Sequence, residues 1–240
     1  MRALFDLPAA YTPSDTDRAA PVPAVTAVLF DFSNTLFHMI AVEEWLRRVA
    51  DDAGRTLDDP DAVVAAIDAA AALPEVREAQ VGRDLSPERH RDAMLAWFSR
   101  VGFLAGAEEA ARARVVAGDS WVPYPDTAEV LRRLAAAGVP VGVVSDIGWY
   151  IRSHAVAAGL DHLVGTWVLS CEVGREKPDP ELFTRACADL GADPRATLMV
   201  GDNPVRDGGA SAAGLRAFVL AGEQRTGARG LADVLPLVGR

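Results

Sequence analysis

Asp31 closes the short apolar run Val25-Thr26-Ala27-Val28-Leu29-Phe30. A carboxylate at the exit of a buried strand is desolvated on one side and serves as a nucleophile or a metal ligand. The following Phe32-Ser33-Asn34 reads equally well as the turn that ends such a strand. Ser145-Asp146 ends a second run, where a hydroxyl and exposed N–H groups ahead of a helix near Trp149 make an anion cradle; a simple helix cap is the plainer reading. Lys177 is the only lysine among 24 basic residues, and Pro178 and Pro180 stiffen the chain around it. A third run ends in Gly201-Asp202, with Asp207 five residues further on. Asp31, Asp202 and Asp207 brought together form a cluster too negative to stand without a divalent cation, and oxygen-only donors favour Mg²⁺. Each feature alone is weak; all of them falling at the ends of apolar runs is far less easily an accident.

The elements that must position them follow from the same pattern. Val25–Asp31, Pro140–Ser145, Thr166–Ser170, Thr197–Gly201 and Arg216–Leu220 are β-rich apolar runs. Between them the sequence predicts helices over Pro125–Ala137, Trp149–Ala158, Asp179–Leu190 and Arg206–Ala213, each followed by glycine. This alternation predicts an α/β fold: a Rossmann-like parallel sheet with helices on both faces and ligands at the carboxyl ends of the strands. The stretch 38–121 breaks the alternation and reads as helices only, over Ala41–Ala53, Pro60–Leu73, Ser86–Val101 and Ala107–Ala117. The expected organisation is therefore a tail at 1–24, a core at 25–37 and 122–240, and an all-helical lid-like insertion at 38–121.

The chain has 240 residues, half of them hydrophobic, and a net charge of −10. That acidity argues against nucleic acid or an anionic membrane as partner. Cys171 and Cys187 have no metal or redox spacing and suit a reducing compartment. No apolar run is long enough to span a membrane, and the first residues lack signal-peptide character, so the expectation is a cytoplasmic protein. Oligomeric state is not legible. Met39, Trp45, Met94 and Trp97 read as packing of the insertion, Arg47 and Arg48 as a solvated helix face, and Trp149 and Tyr150 as a pocket wall or packing. His154 and His162 carry no chemistry in this reading.

The ordered set resembles the haloacid dehalogenase-like superfamily, most of whose members are phosphatases. Leu29-Phe30-Asp31-Phe32-Ser33-Asn34-Thr35-Leu36 is similar to its first motif, Ser145 to the second, Lys177-Pro178-Asp179-Pro180 to the third and Gly201-Asp202 through Asp207 to the fourth. The insertion resembles the family's cap. The resemblance implies that Asp31 attacks phosphorus and forms an aspartyl-phosphate. It implies Mg²⁺ held by Asp31, Asp202 and the Ser33 carbonyl with help from Asp207. Ser33, Asn34, Ser145, Asp146 and Lys177 would then surround the phosphoryl group of a small phosphorylated substrate.

One position departs from the family's phosphatases. They carry an aspartate two residues after the nucleophile, to protonate the leaving group and activate water; here it is Ser33, followed by Asn34 in place of glycine. Losing that acid–base group costs about 10²–10⁴ in rate. A phosphatase acting on good leaving groups, or using another acid such as His38 or a cap residue, is one outcome. A 2-haloacid-type dehalogenase needs no proton for its halide, but those compared lack the Gly-Asp-x4-Asp loop. A phosphonate-type carbon–phosphorus hydrolase needs a cap lysine, which this chain lacks. A non-catalytic binder of phosphorylated ligands is the last alternative.

Overall fold

Four consecutive apolar residues form β1 (Ala27–Phe30), and all four are buried. In the computed structural model, which describes residues 23–221 and 227–239, β1 is the central strand of the sheet. The expected tail at 1–24 falls almost wholly outside the described residues. Next in the chain come β2 (Phe37–Met39), the helices α1 (Val42–Asp52), α2 (Pro60–Ala71), α3 (Pro74–Ala79), α4 (Pro87–Phe98) and α5 (Glu108–Val116), and β3 (Trp121–Pro123). The remainder runs through α6 (Thr127–Ala136), β4 (Val141–Ser145), α7 (Arg152–Ala157), β5 (Thr166–Leu169), α8 (Ser170–Val173), α9 (Pro180–Leu190), β6 (Thr197–Gly201) and β7 (Arg216–Val219).

The five long strands are parallel in the order β5-β4-β1-β6-β7, with Val28 opposite Val141 and Leu198. Period-two alternation sends β1 side chains to opposite faces. Val28 and Phe30 join Val130, Leu131 and Leu134 of α6, whereas Leu29 joins Leu182, Phe183 and Ala186 of α9. Both faces are thereby covered by helices, as an all-parallel sheet requires. The chain ends of β1, β4 and β6 that carry Asp31, Ser145 and Asp202 fall on one edge of this sheet.

The stretch from α1 to α5 packs around its own apolar cluster, which includes Trp45, Leu46, Val49, Met94 and Phe98. Capping explains its helix starts. Asp59 accepts from Ala62 N at 3.0 Å with Pro60 in the first turn, and Ser86 Oγ accepts from Arg89 N at 3.2 Å ahead of Pro87. Three sequence expectations need correction. The stretch is not helical throughout, because Phe37–Met39 and Trp121–Pro123 pair as an antiparallel ribbon at its base; three-residue strands are too short to show a period. The helix expected from Trp149 starts only at Arg152. The helix expected over Arg206–Ala213 is a 3₁₀ helix over Gly208–Ala213. There Asn203 Oδ1 takes the N–H groups of Val205 and Arg206, and Gly208-Gly209 are poor α-helix formers. Among the described residues, no helix is long and apolar enough to cross a membrane.

Candidate active site

β1 hands Asp31 to the sheet edge, where its N–H donates to Val200 O of β6 at 2.9 Å. Directly beyond β6, the turn from Asp202 to Asp207 folds back on Gly201. Asp207 accepts from Asn203 N at 2.9 Å through Oδ2, and a Cβ on Gly201 would lie 2.1 Å from that oxygen. Glycine at 201 is therefore the steric condition for bringing Asp207 home. Lys177 Nζ donates to Asp31 Oδ1 at 2.8 Å and to Asp207 Oδ1 at 2.6 Å, with all three side chains buried. Asp146, expected as a substrate ligand, lines the cavity beside this cluster and also holds the loop: its Oδ1 accepts from Lys177 N at 2.8 Å and its Oδ2 from Arg206 Nη1 at 2.6 Å.

The electrostatics follow from burial and crowding. Burial pushes the Asp31 carboxyl up to about 6; Lys177 pulls it down, and Asp207 and Asp202 push it further up. Asp202 is raised too, by burial and by Asp207. Burial works against the Lys177 ammonium, but Asp31 and Asp207 outweigh it and hold it above its ordinary value. One ammonium thus faces three carboxylates, and carboxylate oxygens of Asp31, Asp202 and Asp207 lie within 4.8 Å of one another. An all-oxygen donor set with uncompensated negative charge fits a hard divalent cation.

A polar cavity of about 430 Å³ opens on this cluster. It is lined by Asp31, Lys177, Asp202 and Asp207, by Ser33 and Asn34, and by Gln80, Arg83 and Asp84 from the helical stretch. Ser145 ends β4 beside β1 and is buried, and its hydroxyl has no hydrogen-bond partner among the described residues, although Ser145 is not part of the cavity lining. His38 is directed elsewhere: its Nδ1 pairs with Met39 O at 3.0 Å, its ring lies 4.7 Å from that of Tyr124, and it lines neither this cavity nor the apolar one beside it. Arg47 pairs with Glu44, and Arg48 with Glu44 and Asp119, on the helix surface.

Several contributing residues escaped the sequence reading. Asp84 lies in a 3₁₀ turn, its carboxyl raised by burial against the opposing pull of Arg83, which pairs with it at 3.4 Å. Ser170 Oγ donates to Asp84 O at 2.6 Å and accepts from Ile147 N at 2.8 Å, tying the helical stretch to the loop after β4. Arg229 Nε donates to Asn34 O at 2.5 Å, holding Asn34 at a φ of 56°. Asp126 in turn accepts from the N–H groups of Arg229, Gly230 and Leu231, each at 2.9 Å. Asparagine tolerates the left-handed region, which is a legible reason for its presence after Ser33; nothing local to Arg229 marks it.

The chain is similar to several known proteins. A glyceraldehyde 3-phosphate phosphatase of Methanopyrus kandleri is 29% identical over 207 residues, covering 80% of this chain and 82% of that protein. A phosphoserine phosphatase of Thermus thermophilus is 41% identical over 99 residues, 39% of each chain. A solved dehalogenase structure superposes with a TM-score of 0.66 at 22% identity, covering 91% of this chain and 99% of that one, a likeness of fold. A family model for haloacid dehalogenase-like hydrolases matches residues 25–214. That span runs from the strand leading into Asp31 to the glycine after the Asp207 turn, and the chain belongs to the haloacid dehalogenase-like hydrolases.

Proposed function

We propose that the chain is a Mg²⁺-dependent phosphatase of small phosphate monoesters, working through an aspartyl-phosphate on Asp31. The observation that carries this reading is the convergence of Asp31, Asp202 and Asp207 with the lone lysine. Asp31, Asp202 and Asp207, with the Ser33 carbonyl, would hold Mg²⁺, which supplies charge neutralisation for the phosphoryl oxygens. Lys177 orients the Asp31 carboxylate and adds its positive charge beside the phosphoryl group. Asp31 attacks phosphorus, the bond to the ester oxygen breaks, and that oxygen leaves with the bonding pair. Water then attacks phosphorus of the aspartyl-phosphate, releasing inorganic phosphate and regenerating the carboxylate. The Ser145 hydroxyl, buried and without a hydrogen-bond partner among the described residues, supports a role in holding a phosphoryl oxygen.

Ser33 cannot supply the leaving-group proton. Among residues from 38–121, the carboxyl that reaches the polar cavity is Asp84, and burial favours its protonated form. We read Asp84 as the group nearest to the missing acid's task and the stretch 38–121 as a cap that closes over the substrate. The free thiols Cys171 and Cys187 fit a cytoplasmic setting.

Acetyl phosphate and p-nitrophenyl phosphate with Mg²⁺ test the reading. Turnover is expected in the wild type and is expected to fall at least about 10³-fold in Asp31→Asn; a variant as active as the wild type refutes the assignment. Ser33→Asp is expected to raise turnover of alkyl phosphates more than of aryl ones, whereas Asp84→Asn lowers the alkyl rate selectively. Ser33 also suits a halide leaving group, so metal-independent halide release from 2-haloacids would favour the dehalogenase reading instead.

A further inference from the structure

A second cavity, of about 340 Å³, adjoins the polar one and shares Ser33, Asn34, Arg83, Asp84 and Asp146 with it. Those shared residues include every charged side chain of its lining, so the charges mark the junction and the rest is apolar. That rest is dominated by Trp45, Met94, Trp97, Phe98, Trp121 and Trp149. The indole N–H groups divide into two kinds. Trp97 donates to Ile67 O at 3.0 Å and Trp121 to Val115 O at 2.8 Å. Those of Trp45 and Trp149 are buried and have no hydrogen-bond partner among the described residues, and the same holds for His90 Nδ1. All three atoms are closed to solvent, so they lie within the wall and do not face the interior of the cavity.

His90 belongs to the cavity by construction. Its side chain packs against Gly148, where a Cβ would stand 2.3 Å from His90 Cβ, and its ring lies 4.9 Å from that of Trp149. Burial, with Arg83 and Arg112, lowers its pKa to about 4, so it brings no charge near neutral pH.

We propose that this cavity receives the leaving group of the substrate, and that this group is a neutral, flat, largely apolar system of about two fused rings. The proposal rests on the phosphatase reading above and narrows it. Size agrees, since a dry apolar cavity of about 150 Å³ holds one benzene. Chemistry agrees as well. Aromatic walls match a flat ring by stacking or edge contact. A polyol or an amino-acid leaving group would strand hydroxyls or charges there, each at a cost of roughly tenfold in affinity or more. An aryl-type oxygen also leaves without strong help from an acid, which suits the serine at position 33.

The test compares 2-naphthyl phosphate with phenyl phosphate, whose leaving groups are of nearly equal basicity, in the full chain with Mg²⁺. We expect kcat/KM at least about tenfold higher for the naphthyl ester, from the extra apolar surface buried. Glycerol phosphate and phosphoserine are expected to be poorer than either. Equal values for the two aryl esters, or a preference for glycerol phosphate, overturn the proposal. Acetyl phosphate, too small to need the cavity, separates the two layers. Turnover of it without the naphthyl preference sinks the cavity assignment alone, and absence of its turnover sinks the phosphatase reading. In that second case 2-naphthol still probes the cavity: saturable quenching of tryptophan fluorescence, weakened in Ile67→Phe, supports it, and no saturable quenching overturns it.

Discussion

Lys177 is bound on two sides by carboxylates and has no water-facing escape. Its replacement by methionine leaves Asp31, Asp202 and Asp207 facing one another uncompensated. Removing one partner of a buried ionic network costs about 3–5 kcal/mol. Lys177→Met is therefore expected to lose about 3 kcal/mol in urea unfolding and to recover part of it on addition of Mg²⁺, because a ligand that binds only the native state stabilises it. The Asp31 proton sets a second expectation. With its carboxyl held at about 6, the metal-free native protein carries a proton on Asp31 below that pH. Mg²⁺ must displace that proton, so its affinity is expected to weaken as pH falls through about 6, approaching tenfold per pH unit. Isothermal titration at several pH values measures this, with proton uptake or release read from buffers of different ionisation enthalpy.

At the scale of elements, α4 meets the loop after β4 through His90 and Gly148. The lowered pKa of His90, about 4 against an ordinary 6.5, has a definite sign. The unfolded chain binds a proton at this position below 6.5 while the native state refuses it down to about 4. Native stability is thus drained as pH falls across that window, by up to roughly 3 kcal/mol. His90→Phe keeps an aromatic ring at the contact and removes the titration. The difference in unfolding free energy between the two proteins is expected to shift toward the variant from pH 6.5 to 4, measured by urea unfolding at matched pH; a constant difference refutes it. Ser170 holds the same junction by bonding to Asp84 O and Ile147 N, so the helical stretch is fastened at both a side chain and a backbone.

At the scale of the molecule, distant parts of the chain meet behind Asp31. Arg229 is buried, its guanidinium bonded to Asn34 O and Ala221 O and set 5.8 Å over the Tyr124 ring. It fixes the turn that carries Ser33 and Asn34 from almost the far end of the sequence. Under the proposed phosphatase reading, Arg229→Met is expected to lower kcat/KM for acetyl phosphate about tenfold, since small misplacements of reacting groups are costly. Arg229→Lys, a donor without the planar fork, is expected to recover only part of that.

The chain by itself determined its strands and its chemistry-bearing residues. Short apolar runs ending in Asp31, Ser145 and Gly201-Asp202 are local patterns, as are the caps at Asp59, Ser86 and Asp179, because burial and capping act on neighbouring residues. Only the tertiary structure decided the rest. The β2–β3 ribbon, the anchoring of the Lys177 loop by Asp146, the arrival of Asp84 and Arg229, and the walling of one cavity by tryptophans from both the helical stretch and the sheet side all join residues far apart in sequence. Such meetings are set by how the layers pack, and no periodicity or spacing along a single chain encodes which distant side chains will face one another.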